Sequence, residues 1–116
     1  MENTKKFYIN GEWVNPEESR TLDVINPANE EVTAVISLGS EKDVNKAVKA
    51  AKNAFTTFSF SSREERLELL EKIMDVYKKR MSDLASAITN EMGAPKNLAD
   101  AAQAPSGLGH LKKAYN

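Results

Sequence analysis

A single histidine, His110, is the side chain of this 116-residue sequence best suited to moving a proton. One imidazole acts as a general base or a metal ligand only when carboxylates or other ligands stand beside it. The polar residues near it in the sequence are Ser106 and Tyr115, and they do not supply a base, an orienting group and an oxyanion site together. We therefore interpret His110 as a surface or packing residue.

The glycines of Gly107-Leu108-Gly109 suggest a phosphate-binding loop as an alternative. The dinucleotide fingerprint needs a preceding strand, a third glycine and a helix that opens directly afterwards. Here the glycines follow an alanine-rich stretch, residues 96–102, that we expect to be helical. Together with Pro105 they are poor interior helix residues, so we interpret them as helix breakers.

Five carboxylates in one short stretch could indicate a metal site or acid–base chemistry: Glu64, Glu65, Glu68, Glu71 and Asp75. Lysines and arginines are interleaved with them. Glu68 with Lys72, and Asp75 with Lys79, have the acid-before-base spacing that stabilises an exposed helix face. We interpret the stretch as solvated surface, and the sequence thus predicts no catalytic, cofactor-binding or metal-binding residue.

The composition excludes further classes of protein. The chain has no cysteine, which rules out a thiol nucleophile, a cysteine-based zinc site and a disulfide framework within it. The formal net charge is -1, so we expect no nucleic-acid partner and no attraction to an anionic membrane. The N-terminus lacks the apolar stretch of a secretory signal, and no apolar run approaches the roughly 20 residues of a membrane span. The expected location is the cytoplasm.

The N-terminal third of the chain reads as short strands. Asn10-Gly11 suits the two positive-φ positions of a tight turn and predicts a hairpin between Phe7–Ile9 and Trp13-Val14. Residues 21–25 form a second apolar stretch, and residues 31–38 alternate apolar and polar side chains as a half-buried strand does. We expect three short strands, the last ended by Gly39.

After Gly39 the apolar spacing changes to that of helices. Ser40 is the predicted N-cap of a first helix, because its hydroxyl can accept a hydrogen bond from the amide of Asp43. A linker is expected at residues 56–60. The apolar residues that recur at three- and four-residue steps, and so share one helix face, are Val44, Ala47, Val48, Ala51, Ala54 and Phe55.

Two further helices are predicted, and a fourth is less regular. One begins at Ser61 or Ser62, each of which has a glutamate three residues later as in a capping box. The next restarts near Ser82 and ends at Gly93. The residues expected to face inward are Leu67, Leu70, Met74 and Tyr77 on the former and Leu84, Ala85, Ile88 and Met92 on the latter. Because so few strands are marginal alone, these helices are expected to face a sheet that this chain does not supply.

Taken in order, these segments resemble the opening of aldehyde dehydrogenases. The resemblance covers residues 7–116 and rests on the ordered combination of motifs rather than on any one of them. The residues that carry it are Tyr8 to Val14, Val24 to Val32, Asp43-Val44, Ala47-Val48, Ala51, Ala54-Phe55, Arg63, Arg66, Leu69-Leu70, Leu84-Ala85, Ile88-Thr89, Glu91 to Pro95, Gln103, Gly107 and His110-Leu111.

The resemblance implies an α/β fold, with an N-terminal β-hairpin and short strands followed by helices. It implies an incomplete part of a Rossmann-like cofactor domain, residues 1–116 being a truncated N-terminal segment of a bacterial-type enzyme. Such enzymes oxidise an aldehyde to a carboxylic acid with NAD or NADP, using a cysteine nucleophile, a glutamate that activates water and an asparagine that helps hold the oxyanion. Those residues lie beyond this chain, so we expect it to bind no cofactor and to be inactive alone.

Two partners follow as hypotheses. One is the remainder of the dehydrogenase, and the other is self-association through uncovered apolar faces. The alternative function is a non-catalytic interaction module that associates with a full-length dehydrogenase.

Overall fold

The computed structural model describes residues 3–116. They divide into two compact units, the first built from residues up to Ile25 and from Val32–Phe60, the second from Asn26–Glu31 and Ser61–Asn116. The elements in chain order are β1 (Phe7–Ile9), β2 (Glu12–Val14), β3 (Thr21–Asn26), β4 (Glu31–Ser37), α1 (Glu41–Phe58), α2 (Arg63–Lys79), α3 (Met81–Met92), α4 (Lys96–Leu98), a π-helical segment (Ala99–Gln103) and α5 (Ala104–Tyr115). Among the described residues, no helix is long and apolar enough to cross a membrane.

The predicted hairpin is confirmed and contributes two strands, so the described chain has four strands rather than three. Asn10 and Gly11 form its turn with φ values of 55° and 82°. β1 and β2 are antiparallel, with Tyr8 opposite Trp13. Their rings meet edge to face with centroids 5.3 Å apart, a geometry that adds to the stability of a cross-strand pair.

A second hairpin joins β3 to β4. Both strands lie where the sequence predicts strands, but their pairing as a hairpin was not predicted. Each of the two sheets contains only two strands. Sheets of this size are marginal without a cover. The larger sheet that the helices were expected to face does not occur within residues 3–116.

Helix α1 begins where the sequence predicts. The Ser40 hydroxyl accepts from the Asp43 amide, and the Asp43 carboxylate accepts from the Ser40 amide in return, forming a complete capping box. The linker expected at residues 56–60 is shorter than predicted, because the helix continues to Phe58. The hydroxyls of Thr56 and Thr57 donate to carbonyls three residues earlier, so these residues fit the last turn.

The predicted inward face of α2 is confirmed, and the helix also has a second apolar face that is exposed. Ser62 caps the helix with Glu65 as its capping-box partner. Met74 is buried, while Leu67, Leu70 and Tyr77 are half-buried. The pairing expected between Asp75 and Lys79 is wrong, since Asp75 contacts Lys78 at 3.1 Å. Three large residues on the same helix remain exposed: Leu69, Ile73 and Val76.

Helix α3 begins at Met81, one residue before the predicted restart. Ala85 is buried and Ile88 half-buried, as expected. The prediction was wrong for Leu84 and Met92, which are 38% and 59% exposed. The contact is made by the small Ala85 together with Ile88, while the two other large residues of the face stay exposed.

The final segment corrects the interpretation of its glycines and proline as helix breakers, because α5 runs through all of them. The π-helical segment precedes Pro105, and its wider turn lets the amide of Ala104 donate to the carbonyl of Ala99, five residues back. A proline ring normally clashes with the carbonyl four residues earlier. Here that carbonyl belongs to Ala101, inside the widened turn, which explains why the helical path survives the proline.

Three alanines form the core of the second unit. Ala85 of α3, Ala99 of the π-helical segment and Ala104 of α5 are each no more than 2% exposed, and Met81 and Ile88 pack against them. Small side chains at one point let helix backbones approach closely. This packing fixes the arrangement of α3 and α5 within the unit.

Gly93 ends α3 in the left-handed conformation, as the sequence predicts, and it also contacts a turn. Its φ is 66°, and an added Cβ would lie 2.9 Å from the amide nitrogen of Ala28 and 3.0 Å from Oδ1 of Asn26. That oxygen accepts a hydrogen bond from the Ala28 amide at 2.9 Å. Glycine is therefore required for its backbone angle and for the space it leaves.

We expect Gly93→Ala to lower the free energy of unfolding more than Gly11→Ala does. Both glycines have positive φ, but a Cβ at Gly11 meets nothing within 4 Å. Gly11→Ala should lower the free energy of unfolding by about 1 kcal/mol because of the backbone angle alone. Gly93→Ala should lower it by about 1–3 kcal/mol more because of the clash. Urea unfolding of the two variants measures the difference, and equal losses would show that the contact with the turn is unimportant.

Candidate functional site

The structure places His110 on the exposed surface of α5 and gives its polar neighbours other partners. The Ser106 hydroxyl donates to the carbonyl of Gln103 at 2.7 Å. The Tyr115 hydroxyl donates to the Glu71 carboxylate at 2.5 Å, and this hydrogen bond raises the pKa of Tyr115. Neither hydroxyl is directed to the imidazole by a hydrogen bond, so these residues form no base–nucleophile pair.

Gly107-Leu108-Gly109 lies inside α5 and is not a phosphate loop. Gly107 instead allows the Tyr77 side chain to pack closely against α5. The Tyr77 hydroxyl of α2 donates to the carbonyl of Ala104 at 2.8 Å, and a Cβ at Gly107 would overlap the Tyr77 hydroxyl oxygen. The sequence offered no signal for this contact, because its two partners lie 30 positions apart.

The acidic residues of α2 do not converge on a shared point. Glu65 caps the helix, Glu71 accepts from Tyr115, and Asp75 pairs with Lys78. Within residues 3–116 no group of three or more histidine, cysteine, aspartate or glutamate side chains could hold a metal ion. The acidic residues of α2 are therefore arranged as on a solvated helix face.

Asp43 is the one buried acidic side chain among the described residues, at 4% exposed. Its carboxylate accepts from the Ser40 amide and hydroxyl, each at 2.8 Å, and from the Glu17 amide at 3.0 Å. The Ser40 and Glu17 amides, in that order, hold the pKa of Asp43 below its usual value. Asp43 thus ties the loop before β3 to the start of α1. The Ser-x-x-Asp spacing predicted its place at the cap but not the contact with Glu17.

An apolar groove runs between the first hairpin and α1 in the first unit. One part, with a volume of about 430 Å³, is lined by residues that include Phe7, Ile9 and Val44. A neighbouring part of about 340 Å³ is lined by Tyr8 and by alanines of α1. Lys6 and Asp43 are the ionisable side chains at the groove other than Tyr8, and Asp43 is engaged at the helix cap. The groove is a packing surface without the partners that catalysis needs.

The fold and these contacts define an incomplete α/β unit: short strands in pairs, then helices with uncovered apolar faces. Residues 13–115 match the sequence model described as the aldehyde dehydrogenase family. The chain belongs to that family. Its strands and helices are an incomplete part of the family's Rossmann-like cofactor domain.

Individual relatives agree with this assignment over nearly the whole chain. The chain is 47% identical over 112 residues to a 3-succinoylsemialdehyde-pyridine dehydrogenase of a Pseudomonas species. It superposes with a TM-score of 0.94 on the crystal structure of an aldehyde dehydrogenase from Bartonella henselae, at 50% identity over 99% of this chain. It superposes with a TM-score of 0.95 on an aldehyde dehydrogenase C mutant from Pseudomonas syringae solved with NAD+ and octanal, at 40% identity over 97% of this chain.

The relatives are much longer than the chain. It covers 24% of the Pseudomonas dehydrogenase, 25% of the Bartonella enzyme and 23% of the Pseudomonas syringae enzyme. The chain therefore spans about a quarter of the length of the dehydrogenases it matches.

Replacing each glycine of α5 by alanine should change stability in opposite directions. Gly109→Ala should raise the free energy of unfolding by about 0.5–1 kcal/mol, because its Cβ meets nothing within 4 Å and alanine favours the helix. Gly107→Ala should lower it by about 1–3 kcal/mol, because the new Cβ displaces the Tyr77 hydroxyl from the Ala104 carbonyl. Thermal and urea unfolding of both variants test this. A stabilised Gly107→Ala would contradict the proposed contact.

The Asp43 contacts should make stability depend on pH in the acid range. Because folding lowers the pKa of Asp43 from its ordinary 3.8, its contribution is complete above that pH and is lost as the pH falls through the lower folded value. The Asp43→Asn variant should therefore show a smaller acid-induced loss of stability than the unmodified chain. Urea unfolding at a series of pH values compares the two, and identical acid profiles would refute the assignment.

Proposed function

We propose that residues 1–116 act as the N-terminal segment of an NAD(P)-dependent aldehyde dehydrogenase and that the chain alone is inactive. The observation that carries the proposal is the match to the Bartonella henselae enzyme. It extends over 99% of this chain but only 25% of that enzyme, with a TM-score of 0.94. A segment that folds as part of a larger enzyme is expected to supply scaffold.

The chemistry of the family requires groups that this chain does not supply. The chain has no cysteine and so lacks the thiol nucleophile that membership in the family implies. In the whole enzyme a bound NAD or NADP supplies the hydride acceptor. A dinucleotide site needs a glycine-rich turn between a strand and a helix, whereas Gly107 and Gly109 lie within α5. We therefore expect the described residues to bind no dinucleotide by themselves.

The role of this segment is to position other elements. The hairpins and the α1 cap shape the first unit, while the alanine core and the Tyr77–Ala104 hydrogen bond fix the second. Large apolar residues remain on the outside of both units. In an assembled dehydrogenase such faces are expected to pack against the rest of the polypeptide. A cytoplasmic location accords with this role and stays a prediction.

A second candidate is a non-catalytic module that binds an intact dehydrogenase. The same exposed apolar residues favour it, because contiguous apolar surface commonly marks a protein interface. Self-association of the chain would use the same surface. In both of these candidates the partner already contains its own copy of this segment. In the first candidate, by contrast, the segment is itself a part of the dehydrogenase.

Two measurements test the proposed function. The purified chain, mixed with octanal and either NAD or NADP, should produce no reduced cofactor. A chimera in which this chain replaces the matching quarter of the Bartonella henselae enzyme should oxidise aldehydes with NAD or NADP, because the scaffold is supplied in its own fold. The unaltered Bartonella enzyme is the control. Turnover by the chain alone would refute inactivity, and an inactive chimera beside an active control would refute the assigned role.

A further inference from the structure

Asn10 and Gly11 form the tip of the first hairpin, and their order makes the tip chemically labile. Asn10 is the one asparagine of the sequence that is followed by glycine, and both residues are exposed. The backbone nitrogen of a following residue can attack the side-chain amide carbon of an asparagine, because the two lie in one short stretch of chain. Glycine has no Cβ to hinder that approach. A Cβ built at Gly11 would meet nothing within 4 Å, so the space around this residue is open.

The other asparagines are less suited to this reaction. Two of them precede Pro16 and Pro27, whose nitrogens carry no hydrogen to lose. Asn3 precedes Thr4, whose branched Cβ crowds the nitrogen. The asparagines within helices each precede a residue with a Cβ and are held in helical backbone: Asn45, Asn53, Asn90 and Asn97. Asn10 is therefore distinguished by the glycine that follows it.

Asn29 is the matched comparison, because it is also exposed and also lies in a hairpin turn. Its side chain is held by Glu31: Nδ2 donates to the carboxylate at 2.9 Å, and Oδ1 accepts from the amide at 3.1 Å. The nitrogen that would attack it belongs to Glu30 and donates to a backbone carbonyl at 2.8 Å. In the described part of the chain, the Asn10 side chain and the Gly11 amide have no such hydrogen bond. Asn10 is thus the less restrained of the two asparagines.

The closed hairpin nevertheless holds the reacting atoms apart. The φ values of Asn10 and Gly11 are 55° and 82°, as in a type I′ turn. In that turn the first central residue has a ψ of about 30°, which places the Gly11 nitrogen roughly opposite Cβ of Asn10 about the Cα–C bond. Attack therefore requires the Asn10 backbone to rotate and the turn to open. A two-stranded ribbon is marginal alone, and such elements open locally.

We propose that Asn10-Gly11 is a site of spontaneous deamidation that reacts when the first hairpin opens. The inference is independent of the proposed function. The Gly11 amide gives its proton to hydroxide, and its nitrogen forms a bond to Cγ of Asn10. The Cγ–Nδ2 bond then breaks, and Nδ2 leaves as ammonia after taking a proton from water, which regenerates the hydroxide. The product is a cyclic imide, and no oxidant or reductant is needed.

Water opens the cyclic imide in two ways with different consequences for the hairpin. Attack at Cγ leaves an aspartate in a normal backbone, and aspartate followed by glycine also suits this turn. Attack at the backbone carbonyl leaves an isoaspartate, whose main chain runs through Cβ and Cγ and is one atom longer. Loop length sets the register of a hairpin, so the isoaspartate should disturb the pairing of Tyr8 with Trp13. Trp13 is the one tryptophan of the sequence, and its fluorescence should report the change.

The experiment is incubation of the purified full chain at neutral and mildly alkaline pH. Mass spectrometry of its peptides measures the conversion of amide to acid at each asparagine, and enzymatic methylation measures isoaspartate. We expect acid and isoaspartate to accumulate at Asn10, at a rate that rises with hydroxide concentration. Asn29 should keep its amide over the same time and is the control within each sample.

Two variants and a denaturant test the role of the hairpin. Trp13→Ala removes the edge-to-face contact with Tyr8 and should raise the rate at Asn10 about two- to tenfold. Phe60→Ala removes another exposed aromatic ring and should leave the rate unchanged. In guanidinium chloride the unmodified chain should react at least about tenfold faster than when folded, because the turn is then open.

Gly11→Ala tests the attacking nitrogen in the same denaturant, where every turn is open and only crowding differs. It should slow deamidation of Asn10 at least about tenfold relative to the unmodified chain. Preferential loss of the amide at Asn29, or equal rates for Gly11→Ala and the unmodified chain, would refute the site. Equal folded and denatured rates of the unmodified chain would refute control by the hairpin, even if Trp13→Ala fails to fold.

Discussion

Close approach of helix backbones at small residues is the constraint on which the second unit depends. Ala85, Ala99 and Ala104 are its fully covered apolar residues apart from Met74, and Gly107 leaves room for the Tyr77 hydroxyl. Methyl groups bury little area each, and the larger Met81 and Ile88 pack against them. The bond from Tyr77 to the Ala104 carbonyl joins α2 to the segment that follows the π-helical turn. A wider side chain at this point would separate the helices.

The shortage of buried area has a consequence for both units. Five apolar residues are buried within residues 3–116, and sixteen large ones are exposed. A chain of this length that completed its own core would cover most of its large apolar side chains. The described fold instead keeps well-formed local structure, with capping boxes and tight turns, around faces that are still open. Well-formed local structure and open apolar faces therefore occur together in this fold.

Family membership does not by itself establish catalytic ability in this chain. The elements that show the family are turns, caps and helix faces, and these are scaffold features. Three of the polar side chains that could take part in chemistry have structural partners: Asp43 accepts from the Glu17 amide, Glu71 accepts from Tyr115, and Ser106 donates to the Gln103 carbonyl. Each such contact positions a backbone or joins two helices.

The sequence by itself determined the local structure. Asn10-Gly11, Ser40, Ser62 and Gly93 each act through neighbours within a few positions, so their turns, caps and stops could be predicted from spacing. The resemblance to aldehyde dehydrogenases could likewise be recognised from the sequence, because it rests on the order of motifs along the chain. Tertiary structure decided which apolar face is covered, since Leu84 and Val48 follow the same helical pattern as Ala85 and Met74 yet stay exposed. It also decided that Gly107 sits in a helix, because the need for glycine comes from Tyr77, on a different helix. Contacts between residues distant in sequence leave no periodic signal, and for that reason only the folded chain shows them.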